Sequence, residues 1–282
     1  MDRLQEILAR LGDMGITSKQ MSEKDWEQFK VDDWNKTAGN RNEEDGYNCK
    51  TCLNKGTIAK LVDLGGGRYS HCFADCQCVE TRKSIMRMKR SGLKDIIKDY
   101  TFDKFIDTEP WQKSVKAAAM EYAKKPEGWF FLGGQSGAGK THLCTAICRQ
   151  FLLEGKQVRY MLWRDDIVKI KSAVTDSEEY SKAIDKYKRV DVLYIDDLFK
   201  TGKMADNSIQ KPTAADINVA FEIINYRYNN PSLLTIISSE LTEDELMDID
   251  EAIGGRIYER AKSISIAKNR DRNYRIKKAV TV

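Results

Sequence analysis

The sequence predicts an α/β fold around a mostly parallel sheet, preceded by a small helical and cysteine-rich segment. Three observations predict it. From Tyr100 onward, short apolar strands alternate with helical patterns, the arrangement of a sheet covered by crossover helices. A glycine-rich loop, GQSGAGKT, separates one such strand from one such helix. Five of the seven cysteines fall within Cys49–Cys78, well before that region.

The chain of 282 residues has room for one large domain and a small one. With 41% hydrophobic and 32% charged residues it belongs with globular proteins, and disorder throughout is excluded. A net charge of +4 points to no partner class by itself. No apolar run approaches the ~18 residues of a membrane span. The start, MDRLQEILARLGDMG, reads as an amphipathic helix and not a signal peptide, because charges interrupt every apolar run. We therefore expect a cytoplasmic protein with no membrane partner. In a reducing compartment, clustered cysteines read as metal ligands before disulfides. Cys144 and Cys148 lie apart on a predicted helix and read as core.

The elements follow in order. Residues 1–30 predict one or two short helices, with Leu4, Ile7, Leu8 and Leu11 at helical spacing. Residues 31–47 are polar and irregular, a linker. Cysteines dominate 48–78, and a basic helix spans about 79–90, ended by Ser91-Gly92. Strands are expected at 129–134, 157–163, 190–197 and 232–239. Helices are expected after the glycine-rich loop, at 213–228, and from Thr242, where Thr242 and Glu245 form a capping box. The domain boundaries expected are 1–45, a metal-binding module at 46–80, a basic linker helix at 81–99, and the α/β domain at 100–282.

The loop from Gly134 to Thr141 matches G-x-x-x-x-G-K-[ST] at every fixed position. Gly134, Ser136, Gly137, Ala138 and Gly139 are small, so consecutive backbone N–H groups can turn toward phosphates at a helix N-terminus. Lys140 can reach the β- and γ-phosphates, and the Thr141 hydroxyl can ligate Mg²⁺. His142 follows directly and joins the candidate nucleotide contacts. In VLYIDD, four apolar residues place Asp196 at the carboxyl end of a buried strand, as the acid on the magnesium side. Asp197 is the candidate for polarising the attacking water. The implied reaction is Mg²⁺-dependent ATP hydrolysis. IGGRIYER offers Arg256 after a double glycine, where a helix would begin or be interrupted, with Arg260 four residues on.

These segments (GGQSGAGKTHL, LYIDDLFK, TIISSELTEDEL, AIGGRIYER and RDRNYR, in this order) resemble the helicase loaders of the DnaC/DnaI type. Those are AAA+ ATPases related to the ATPase partner of IstB-type transposons. The resemblance covers about 95–282 and the CKTC…CQC…RKS…MKRSGL module, which looks like the zinc module of phage and Gram-positive loaders. It implies an AAA+ fold, with Lys140, Thr141, Asp196 and Asp197 in the roles above. It further implies Arg256 as an arginine finger reaching the nucleotide of the next subunit, and Arg275 as a late arginine near the nucleotide. One position departs: at the family's sensor position after the fourth strand, SSE stands where cellular loaders often carry T-S-N; ionised Glu240 cannot donate as a sensor does, and Ser238 or Ser239 could substitute.

Cys49-x₂-Cys52 is a knuckle whose second half must come from His71, Cys72, Cys76 and Cys78. The resemblance selects Cys76 and Cys78. With Cys49 and Cys52 they form a closed S₄ site suited to structural zinc, which four thiolates share with an iron–sulfur cluster. The metal would order a segment with few large apolar residues. Lys83, Arg87, Arg90 and Lys94 make one face of the following helix basic, a phosphate-tracking or a solvated face. Lys268–Lys278 and the turn LFKTGK are further candidates for single-stranded DNA.

The function expected is an ATP-dependent loader that self-associates and places a DnaB-type hexameric helicase on single-stranded DNA. The alternatives are a transposase-assisting ATPase and a nucleotide-switched DNA-binding adaptor that scarcely hydrolyses.

Overall fold

The computed structural model describes residues 22–88, 96–202 and 211–276. They form two compact units, divided after Val79.

The first unit is a helix laid on a hairpin. Helix α1 (Glu23–Lys36) starts at Ser22, whose Oγ accepts from the Asp25 N–H at 3.2 Å. A short α2 (Arg41–Asp45) follows. Strands β1 (Thr57–Gly65) and β2 (Arg68–Asp75) pair antiparallel around the glycine run at 65–67. The linker expected at 31–47 is therefore largely helical. Its polar residues have partners that the sequence pattern does not reveal. Asn35, on α1, accepts from the Ala59 N–H and donates to the Ala59 carbonyl, both at 3.0 Å. Glu27 accepts from the backbone N–H of His71 at 3.0 Å and pairs with its ring Nδ1 at 2.6 Å. Lys30 lies 2.6 Å from the same carboxylate. Lys30 first, then His71, hold the Glu27 carboxyl down at about 2.

Helix α3 (Cys78–Met88) carries the basic segment. Lys83 is exposed and paired with Glu80, while Arg82 is buried. The Arg87 side chain, Arg90, Lys94 and the helices expected before residue 22 lie outside the described residues.

The second unit is a three-layer α/β domain. After α4 (Ile96–Asp99) and α5 (Pro110–Lys124) come β3 (Trp129–Gly134), α6 (Lys140–Leu153), β4 (Val158–Leu162) and α7 (Trp163–Ser172). Then follow α8 (Ser177–Lys188), β5 (Val192–Asp196), α9 (Ala214–Tyr228), β6 (Leu234–Ser238), α10 (Glu243–Ile249), α11 (Glu251–Arg260) and β7 (Ala261–Ile266). The five strands are all parallel in the order β4-β5-β6-β3-β7. The fold class expected from sequence is borne out. Strand β3, WFFLGG, is buried at every position, as a strand covered by helices on both faces must be. Trp129, Phe131, Leu193, Ile195, Ile237, Ile223 and Ile257 share one core. Each such fully buried side chain contributes about 1.5–3 kcal/mol.

One local feature differs from expectation, and a second carried no signal in the sequence. Helix α11 runs unbroken through Gly254-Gly255. Gly254 serves packing: a Cβ there would lie 2.7 Å from the Met247 backbone N, so α10 and α11 meet backbone to backbone. Arg227, on α9, is fully buried. Its Nη1 donates to the carbonyls of Tyr187, Lys188 and Val190 at 2.9–3.1 Å, Nη2 to Leu234 O at 2.5 Å, and Nε to Thr235 Oγ at 2.8 Å. Burial pushes its pKa down to about 9. It ties α9 to the end of α8 and the entry ends of β5 and β6, opposite the carboxyl ends where the candidate site lies. No described helix is long and apolar enough to cross a membrane.

Candidate functional site

A cavity of about 310 Å³ opens at the carboxyl ends of the strands, over the loop between β3 and α6. The loop is shaped by its glycines, of which Gly134 is the most constrained. Its φ is 96°, and a Cβ would stand 2.0 Å from the Ile266 carbonyl of β7. Lys140 is buried and donates to the carbonyls of Gly134 and Gln135, each at 2.8 Å. Burial lowers its pKa, while Glu240 and Asp197 pull in the opposite direction.

Strand β6 lies between β3 and β5, so its end is placed between the loop and the acids. Asp196 is 3% exposed, and every nearby donor is a hydroxyl. Thr141 Oγ1 lies 3.2 Å from Oδ1, Tyr194 OH 2.7 Å from Oδ1 and Tyr160 OH 2.8 Å from Oδ2, and Ser238 Oγ also donates to it. Its carboxylate and the Thr141 hydroxyl form a hard oxygen donor set, which suits Mg²⁺. Tyr194, two residues before Asp196 on the same strand face, and Tyr160 were missed from sequence; the alternation of a strand was the available signal.

Asp197 has φ 57° and Phe199 φ 58°, left-handed values that cost a side-chain-bearing residue about 1 kcal/mol or more each. Packing holds them. The Leu198 N–H donates to Ser238 O at 2.9 Å, and Ser239 Oγ to Leu198 O at 2.8 Å. The Phe199 ring packs edge-on to Trp163 at 5.4 Å. Ser238 Oγ also accepts from the Asp197 N–H at 3.2 Å, so both serines of the SSE triplet are committed to the acid turn. Burial and then Asp196 raise the Asp197 pKa, against the pull of Lys200. Lys200 Nζ lies 2.8 Å from Asp197 Oδ2 and 3.0 Å from Glu240 Oε1. Glu240 in turn accepts from Ser136 Oγ of the phosphate loop at 2.8 Å. Burial raises the Glu240 pKa, but Ser136, Lys200 and Lys140 outweigh it and the net shift is downward. Lys200, expected among DNA contacts, thus faces the cavity, and neither Lys200 nor Glu240 was read from sequence as a phosphate-site residue.

His142 and Arg275 also line the cavity. His142 stacks on Tyr100 at 4.5 Å, meets Phe105 edge-on, and places Nε2 2.8 Å from the Thr101 carbonyl. Burial lowers its pKa. Arg256 does not line the cavity. On α11 it donates through Nη1 to Ala252 O at 2.7 Å and through Nε to Asn225 Oδ1 at 3.2 Å, between the rings of Phe221 and Tyr228. Lys268 is paired with Glu245 at 2.5 Å.

In the first unit Cys49, Cys52, Cys76 and Cys78 are all buried, with their sulfurs within 4.8 Å of one another. Cys49 and Cys76 Sγ are 3.7 Å apart, Cys52 and Cys78 Sγ 3.5 Å. Thiolates at tetrahedral corners around one zinc, with 2.3 Å bonds, stand about 3.8 Å apart, so the set fits a single ion. The knuckle is built for it. Asn54, in a left-handed turn, accepts from the Cys49 N–H at 2.8 Å, and the Gly56 N–H donates to Cys52 Sγ at 3.2 Å. Burial pushes the Cys49 thiol up, but the N–H groups of Cys52 and Thr51 and the neighbouring thiols bring it down to about 7. His71 is engaged by Glu27, and Cys72 is exposed on β2.

Residues 75–279 match the family described as IstB-like ATP binding protein. The protein YqaM of Bacillus subtilis is 34% identical over 70% of this chain, a match spanning 64% of YqaM. The phage-like element PBSX protein XkdC, also of B. subtilis, is 30% identical over 76% of this chain and 79% of its own length. The replicative helicase loader DnaC of Escherichia coli is 23% identical over 65% of this chain and 73% of its own length. A crystal structure of the DnaC helicase loader superposes with a TM-score of 0.50 at 21% identity, covering 59% of this chain and 96% of that one, and so shares the fold.

Proposed function

Because the chain belongs to the IstB-like ATP-binding protein family, we propose that it hydrolyses ATP to place a DnaB-type replicative hexameric helicase on single-stranded DNA. The observation that carries the ATPase half is one cavity lined by Lys140, Thr141 and Asp197, with Asp196 held 3.2 Å from Thr141. The loader half rests on the relative DnaC, a replicative helicase loader with an alignable chain. The similarity to XkdC supports a phage setting.

In this reading the loop N–H groups and Lys140 hold the β- and γ-phosphates. Thr141 and Asp196 hold Mg²⁺, which supplies charge neutralisation on the phosphates when bound. Asp197 orients water, and His142 and Arg275 contact the nucleotide. Arg256 acts on the nucleotide of a neighbouring copy, since it lies away from its own cavity. Cys49, Cys52, Cys76 and Cys78 hold zinc as a fold staple with no chemistry of its own.

The test is a pull-down against the host's replicative helicase, with and without ATP. Capture of the helicase is expected; no complex in any nucleotide state sinks the loader reading. One observation favours a second reading, a nucleotide-switched adaptor with little hydrolysis. Asp197 is ion-paired to Lys200 and therefore engaged. Single-turnover hydrolysis separates the two.

A further inference from the structure

The candidate site contains more charge than phosphate binding by the loop requires. Two carboxylates, Asp197 and Glu240, line the same cavity as Ser136 and Lys140. A nucleotide's terminal phosphate placed there would face both of them, and uncompensated like charges in a partly dry cavity repel strongly. Lys200 bridges the two acids, at 2.8 Å and 3.0 Å.

The construction of this bridge is uneven. The Lys200 backbone is pinned: its N–H donates to Asp197 O at 2.9 Å, and the preceding turn is held by Ser238, Ser239 and Trp163. The side chain is 34% exposed, with the ammonium on four rotatable bonds. A point charge with three donors can change acceptors without moving the backbone. Glu240 is meanwhile fixed to the loop through Ser136.

We propose that Lys200 is a second phosphate cation, supplied by the same chain, which leaves its carboxylate partners for the terminal phosphate of a bound nucleoside triphosphate and so releases Asp197 to orient water. Glu240 is the competing acceptor that returns Lys200 when the terminal phosphate is gone. This deepens the phosphate-site reading and rests on it. It also assigns a purpose to an acid at the end of β6.

The test compares binding of ADP and of a non-hydrolysable ATP analogue to the full chain, in wild type, Lys200→Met and Glu240→Gln. Lys200→Met should weaken the analogue about tenfold while ADP changes by less than about twofold, because the lost contact is a charge-assisted one to the terminal phosphate. Glu240→Gln removes a competing negative charge and should shift the preference in the opposite direction, toward the analogue, by severalfold. If the bridge is merely structural, Lys200→Met removes it and Glu240→Gln loosens it, and neither variant changes the preference between the two nucleotides. Shifts of the same sign, or equal effects on both nucleotides, would overturn the proposal. Glu240→Gln keeps the proposal testable if Lys200→Met does not fold, since an unchanged or lowered preference for the analogue in that variant alone contradicts it. Lys140→Ala separates the failures: it should lose both nucleotides, and unchanged binding there would refute the phosphate-loop reading instead.

Discussion

The two units are held together by different means. The ATP-binding unit has a contiguous apolar core on one face of a five-stranded sheet, and Phe130, Leu132, Leu143, Ile147 and Phe151 are fully buried as well. Among its described residues, the N-terminal unit has a two-stranded hairpin, one covering helix and few buried large side chains; Leu64 and Phe73 on its strands are exposed. In the first, burial of area provides the stability and polar groups refine it. In the second, named side chains substitute for area: four clustered cysteines, Asn35 on Ala59, and Glu27 on His71. The difference predicts that single polar substitutions are severe in the small unit and that only buried polar anchors are severe in the large one.

The largest effect should come from the thiolates. Cys49→Ser should release one zinc per chain and unfold the N-terminal unit, since metal-binding energy is folding energy in such modules. The ATP-binding unit should keep its melting transition and its nucleotide binding. A metal assay with differential scanning calorimetry checks this, and loss of both transitions together would end the comparison.

Arg227→Met comes next. It removes the donors to four carbonyls, at the end of α8, the approach to β5 and the start of β6. The cost should be about 3–5 kcal/mol, from buried acceptors left without donors. Urea unfolding measures it, and a loss below about 1 kcal/mol would mean that water replaces the guanidinium.

Glu27→Gln should cost the small unit about 1–2 kcal/mol at neutral pH. The sign follows from the depressed carboxyl. Its folded pKa of about 2 lies below the ordinary 4.5. The contribution is therefore complete above about pH 4.5 and disappears as pH falls toward 2. The difference between wild type and variant should close over that window; a constant difference would refute the ion-pair explanation.

Much of the large unit was legible in sequence because its signals are local. The glycine loop, the apolar strands and the capping box at Thr242 are each fixed by residues within eight positions of one another. In the small unit the hairpin was not read, because TIAKLVDLG neither alternates cleanly nor runs apolar, and its register depends on α1 side chains some 24 to 44 residues away. The same limit hid the contacts of Lys200, which depend on Glu240 from another strand end. Gly254-Gly255 was read as the start or an interruption of a helix because glycine lowers helix propensity; contact with Met247 overrides it.

The turn after β5 has a consequence for engineering. At position 199 the backbone takes a conformation that glycine would adopt without penalty, and a stability search would offer Phe199→Gly. That change would relieve the backbone and at the same time remove the ring that seats against Trp163. Loss of that buried ring, about 3–5 kcal/mol, exceeds the roughly 1 kcal/mol of backbone strain relieved. One ring thus sets both the heat resistance of the turn and the aim of the side chain that follows it.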